Sequence, residues 1–459
     1  MNAGERRRAA LLARADGLAA DLDHWLALTD GPTSGARGAG QAGAGQGGAA
    51  RGGAGRGDAG APFPQHHTQV RAVDAALRPL LARVREAETR RADTELGLLQ
   101  EVWWRLRDAL TQRHDRSLGD FLLLADDFVW SCYRPALTAA SSVPGAEILP
   151  VEPPLVHLTA HAVPFALPRL VSEDRQARVD ELLRALPVAL VGLPFVQSRH
   201  LPEAVLAAHE VGHCVLDAFG LTGELSEVLR RTAEGPDWWT DRLPEVFADL
   251  YGALCAGSGF AFILADFVAL TPEGPPSPRY PVPRVRVALV ADALAEAGGE
   301  EAAVELRAHW AEHAAGSGPA PEGLRPTVRA LLSAPLTALG GRTLLDLFPR
   351  GVDAGLRAAA DALLRRSPIP KSVPGTAGVL LPAAAFAFHT DPDRYAVVVK
   401  DLTDRILRLA AEDRTRGVRG GAGGDEATDT PGDRGAQSAS RLRALLDGWG
   451  ADPPADAAS

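Results

Sequence analysis

Residues 201–220 read "LPEAVLAAHEVGHCVLDAFG". Apolar residues recur at helical spacing, Pro202 stands at an allowed first-turn position and Gly220 is a natural stop, so the stretch predicts a helix. His209 and His213 are four residues apart on that helix. They lie on one face, about one turn from each other, where two imidazoles can aim at one ion. Glu210 lies about 100° round the helix, close enough to reach a water on that ion. Together they form the HExxH pattern. A buried Glu210 without a partner would be costly, and catalytic use gives a reason for it. The plainer alternative is an Ala-rich helix with two surface or core histidines.

Two histidines make a poor site, because a catalytic zinc has three protein ligands and a water. The best third ligand is in "EVFAD" (245–249), on the predicted helix "TDRLPEVFADLYGALCAG" (240–257). Glu245 would complete a His-His-Glu set. Asp249, one turn later, can accept a hydrogen bond from the non-ligating nitrogen of a zinc histidine and so fix its tautomer. Asp217, on the first helix, and Glu224, Glu227 and Glu234, in the predicted connecting loop, also offer carboxylates. None of these has an acid four residues on. Cys214 and Cys255 fall off the expected faces and read as small buried residues.

With both helical pairs in place, "HEVGH" followed 32 residues later (213 to 245) by "EVFAD" resembles the gluzincin metallopeptidases. The ExxAD form is most similar to the minigluzincins and to the integral-membrane prenyl-protein proteases. The resemblance implies that His209, His213 and Glu245 bind Zn2+, that Glu210 is the general base and that Asp249 is a supporting acid. A third segment, "RYPVPRVRVAL" (279–289), looks like the family's His-Pro step and later arginine. It would bring Arg286 beside the site and puts Tyr280 where the family has His. Tyr280 and Arg286 are thus the candidate oxyanion donors. The membrane spans of those proteases have no counterpart here. The resemblance covers roughly 187–290. It also suggests that "PVALVGLPFV" (187–196) is a sheet edge that pairs with extended substrate; a buried structural strand is the alternative.

A second pair, "HWAEH" (309–313), fits the inverted motif HxxEH. No helical Glu pair follows to complete it, and its Ala- and Glu-rich setting reads as a solvated helix face. His157 and His161, on a predicted strand, read as structural, with substrate binding as the alternative for one that reaches the cleft.

The chain has 459 residues, 46% of them hydrophobic, enough for a substantial core and two or three domains. A net charge of −10 argues against a general nucleic-acid binder. Three widely spaced cysteines make neither a disulfide framework nor a Cys-based zinc site. The N-terminus has no signal-type apolar core. The most apolar stretch, "GFAFILADFVAL" (259–270), is too short to span a bilayer and carries Asp266. The expected place is therefore the cytoplasm, with no membrane span.

The expected fold is mainly α with a small β-sheet (α+β), a zincin-like catalytic core flanked by helical regions. The expected parts are an N-terminal helix (1–30), a Gly/Ala-rich flexible linker (31–62), a helical region (63–142), the gluzincin-like core (143–300), a helical extension (301–413) and a mostly disordered tail (414–459). Trp103, Trp104 and Trp130 read as core aromatics. The expected activity is zinc-dependent hydrolysis of a peptide or protein substrate. The rival is a regulatory or scaffold protein with a structural zinc site. The N-terminal helical region suits a protein partner.

Overall fold

A computed structural model describes residues 2–30, 66–145, 152–159, 165–166, 173–269, 277, 279–313, 323–348, 352–415 and 431–450. The expected linker at 31–62, His161 and the last nine residues lie outside them. The chain is mainly helical with one small sheet, as the periodicity predicts. It begins with α1 (Ala3–Thr29), α2 (His67–Glu86), α3 (Thr89–Thr111) and α4 (Arg116–Ser141), followed by β1 (Glu152–Thr159), β2 (Phe165–Ala166), α5 (Glu173–Arg184) and β3 (Val188–Pro194). Next come α6 (Ala207–Ala218), α7 (Thr222–Thr232), α8 (Pro236–Ala269), α9 (Pro283–Glu296), α10 (Glu300–His313) and α11 (Arg325–Ser333). The chain closes with α12 (Leu344–Leu347), α13 (Val352–Leu364), α14 (Ala377–Thr390), α15 (Pro392–Thr415) and α16 (Pro431–Gly450).

Two compact units divide the chain, and the division falls within α3, between Trp103 and Trp104. In the first unit, α1 starts on a capping box in which the Asn2 side chain accepts from the Glu5 N–H. Leu11, Ala15, Leu18, Leu22 and Trp25 bury one stripe of α1. The Trp103 indole donates to Asp21 at 2.6 Å. α16 packs on α2, so closely that a methyl on Gly435 would overlap Ala75. The tail expected to be mostly disordered thus carries a helix from Pro431. The sequence suggests only a short helix at 439–448 there; the helix starts eight residues earlier, and the small residue at 435 permits its close approach to α2.

The second unit holds 104–184 and 188–427, so the expected core and the expected helical extension (301–413) share it. Trp130 is buried as expected, but Trp104 is 60% exposed, with the Arg107 guanidinium over its ring at 5.1 Å. The sheet has the order β1-β3-β2, with β1 parallel and β2 antiparallel to β3. β3 is therefore the central strand and not an edge, so of the two readings of 187–196 the buried structural strand holds and the substrate-pairing edge does not. The outer edge of β1 is occupied too. Asp126 accepts from the Val156 N–H, Arg113 donates to the Val156 carbonyl, and Gln112 exchanges two hydrogen bonds with Leu158. Side chains blunt this edge against strand addition.

α8 runs through the middle of this unit and packs against α6, α7, α9, α10 and α14. Sequence reading divides it into two helices, at 240–257 and 259–270. The structure agrees: α8 is two helices that meet at a kink at Gly257, where φ is 54°. There the Ser258 N–H donates to Asp353 at 2.9 Å. Taken together, the two halves of α8 are long and apolar enough to cross a membrane by length and composition alone. In the structure, 78% of their most apolar window is buried inside the protein.

Candidate metal centre

α6 carries His209, Glu210 and His213; α8 carries Glu245 and Asp249. What brings the two helices together is a missing side chain. A methyl on Gly212 would stand 2.6 Å from the Ala248 Cα, so only a glycine allows this crossing. The Gly of "HEVGH" and the Ala of "EVFAD" are the contact point, and His209, His213, Glu245 and Asp249 flank it on the two helices.

At the crossing, His209 Nε2 and His213 Nε2 are 3.2 Å apart. Glu245 presents one carboxylate oxygen 3.4 Å from His209 Nε2 and the other 3.7 Å from His213 Nε2. Ligand atoms 2.0–2.1 Å from a tetrahedral zinc stand about 3.3 Å apart, so the three side chains are spaced to fit that ion. The imidazole rings are perpendicular, at 89°, with centroids 4.8 Å apart.

The other nitrogen of His209 meets Asp249 at 2.8 Å. Asp249 is fully buried and is gripped on its far side by Arg286 of α9, with Nε at 2.7 Å and one terminal nitrogen at 2.6 Å. The sequence offered Arg286 as an oxyanion donor. Instead, two of its nitrogens are committed to Asp249, and it neighbours the site as the residue that fixes the supporting acid. Tyr280 is 44% exposed on the turn before α9, its N–H on Ser277 Oγ. Glu210 is 5% exposed, beside His209 on α6.

The electrostatics follow from this ladder of charges. Burial works against a charge on His209, but hydrogen bonds to Asp249 and Glu245 outweigh it and push its pKa up to about 9. Burial and the neighbouring His209 push His213 down to about 4. Burial raises the Glu245 and Asp249 carboxyls, yet both end lower than usual: Glu245 chiefly through His209, Asp249 chiefly through Arg286. The metal-free pair is one imidazolium and one neutral imidazole, held against two carboxylates.

The rival ligands are elsewhere. Asp217 is 61% exposed and pairs with Arg184 at 3.2 Å. Glu224 and Glu227 are on α7 and not in a loop. Glu224 accepts from the N–H groups of Thr337 and Ala338, and Glu227 pairs with Arg230. Cys214 is partly buried, its thiol pushed up to about 12 by burial. Cys255 is buried beside Cys132. His157 lies on β1, 4.0 Å from Asp108. His309 of "HWAEH" is not on a solvated face: its side chain is 14% exposed and bonds Asp266 at 2.6 Å. The His313 side chain lies outside the described residues.

No protein-family model, no curated protein and no solved structure matches the chain.

Proposed function

We propose that the chain is a zinc-dependent hydrolase of peptide bonds, acting on a peptide or protein substrate in the cytoplasm. The observation that supports this most is the convergence of His209 Nε2, His213 Nε2 and the Glu245 carboxylate at zinc-ligand spacing, with Asp249 on the remaining nitrogen of His209. The resemblance to gluzincins points the same way.

His209, His213 and Glu245 would hold the ion. When bound, zinc supplies a Lewis acid for the scissile carbonyl and lowers the pKa of a water towards 7. Asp249 keeps the His209 proton on Nδ1, so that Nε2 presents its lone pair to the ion. Arg286 holds Asp249 ionised and in place. Glu210 takes the proton of the attacking water and passes it to the leaving amine. Tyr280, six residues before Arg286, donates to the oxyanion.

The test uses the zinc-loaded full chain and a peptide library, read by mass spectrometry. Wild type cleaves; Glu210→Gln holds the same zinc and loses at least about 100-fold in rate, the usual scale for removing a general base. Equal zinc in both proteins with no cleavage by either would make the site structural, the reading that suits a regulatory or scaffold protein. No zinc in either would overturn both readings.

A further inference from the structure

Asp266, His309 and His389 form a second convergent group, in the same unit as His209 and its neighbours but sharing no residue with them. They come from three different helices: Asp266 from the last turn of α8, His309 from α10 and His389 from the last turn of α14. One ligating atom of each lies within 4.8 Å of the others. His309 Nε2 is 2.6 Å from Asp266. The rings of His309 and His389 are perpendicular, at 88°, with centroids 4.7 Å apart. That is nearly the arrangement of His209 and His213, at 89° and 4.8 Å.

The orientation of these rings has a built support. His389 stacks face to face on Phe262, centroids 3.7 Å apart at 15°. The same Phe262 meets His309 edge-on at 5.5 Å and 78°. One buried phenyl ring thus sets the plane of both imidazoles and turns them towards Asp266, one helical turn along α8. A hydrogen-bonded His–Asp pair needs only His309 and Asp266. It does not require a second imidazole, perpendicular to the first, with a ring nitrogen within 4.8 Å of both.

We propose that Asp266, His309 and His389 bind a divalent first-row transition metal as a second site, structural in role. Two imidazoles and one carboxylate are the donor set that zinc accepts, with a water completing the shell. The consequence follows from where the ligands sit. Gly257 breaks α8, and Asp266 lies beyond the break from Glu245 and Asp249. A metal there clamps the far half of α8 to α10 and α14. It therefore stabilises the folded chain by mass action. The inference does not depend on the proposed peptidase activity.

The test is a Zn2+ titration of the full chain after chelation and dialysis, read by metal analysis and by melting temperature. The variants are His209→Ala/His213→Ala at the first site and Asp266→Asn and His389→Gln at the second. Wild type is expected to bind two equivalents and each variant one. The His209→Ala/His213→Ala protein should still gain melting temperature with Zn2+, and adding Asp266→Asn should abolish that gain. One equivalent in wild type, absent from His209→Ala/His213→Ala and unchanged by Asp266→Asn, would overturn the second site and leave the first intact. Co2+ absorption of the His209→Ala/His213→Ala protein gives a readout without altering the second site: a visible ligand-field band supports it, and a spectrum identical to aqueous Co2+ overturns it.

Discussion

Gly212 lies against Ala248 where α6 crosses α8, with room for a hydrogen atom and none for a methyl. Alanine is otherwise the better helix residue by about 1 kcal/mol. Gly212→Ala must nevertheless push the Ala248 backbone away, and backbone gives less readily than a side-chain tip. The expected net result is a loss of about 1–3 kcal/mol, the usual cost of overpacking. His213 and Glu245 also move apart. Chemical denaturation and zinc affinity check this together: both should fall, whereas Gly223→Ala on α7, with nothing near its would-be methyl, should leave zinc affinity unchanged.

Asp249 and Arg286 are a largely buried pair, and removing the arginine leaves the buried Asp249 carboxylate with His209 as its one remaining charged partner. Arg286→Met should cost about 3–5 kcal/mol of stability. Asp249→Asn should weaken zinc binding by about 10–100-fold, because it disturbs the group that orients His209. The double variant Asp249→Asn/Arg286→Met should recover most of the stability lost by the single arginine change, since no charge is left alone, but not the zinc affinity. Denaturant melts and competition with a zinc chelator separate the two effects.

Metal uptake should release a proton. In the metal-free chain, His209 has its pKa raised to about 9, so it is charged at pH 7. A zinc ligand must be neutral at the ligating nitrogen, so binding displaces about one proton per ion. Titration calorimetry in buffers of different ionisation enthalpy, on a chain carrying Asp266→Asn, measures it. The same group makes a pH-dependent contribution to the stability of the metal-free chain. Its folded pKa is raised, so its contribution is full below about 6.5, the unfolded value, and is lost as pH rises through about 9. Chelated protein should therefore lose melting temperature over that window, where zinc-loaded protein does not show the same loss.

Arg113 and Asp126 are both nearly inaccessible, 2.8 Å apart, and together they satisfy Val156 on the outer edge of β1. Asp126→Asn should cost about 3–5 kcal/mol by leaving the guanidinium poorly paired. It should also expose that edge, so aggregation on partial heating, read by light scattering, should increase.

The helices were legible because their period is local: α1 and α6 follow from apolar spacing along one stretch of chain. The two side-chain pairs that meet at the crossing were legible for the same reason, since each i,i+4 pair is a property of one helix. What could not be read was what one helix does to another. Nothing local says that Gly212 meets Ala248, or that Arg286 turns to Asp249 instead of towards a substrate. A cue was there: an arginine inside the apolar run "VPRVRVAL" calls for a buried partner. His309 was paired by motif with His313, four residues on, whereas in space its neighbours are Asp266 and His389, from helices far along the chain. The sheet edge was missed because strand order is non-local, and β3, last in sequence, lies in the middle.

The most direct measurement is a zinc-edge anomalous difference map from a crystal of the zinc-loaded full chain. The expected result is a peak bonded to His209 Nε2, His213 Nε2 and Glu245, at about 2.0–2.2 Å, with Asp249 on His209 Nδ1 and one position open to water. A map with no peak between α6 and α8, or a peak there that excludes Glu245, would contradict the proposed centre.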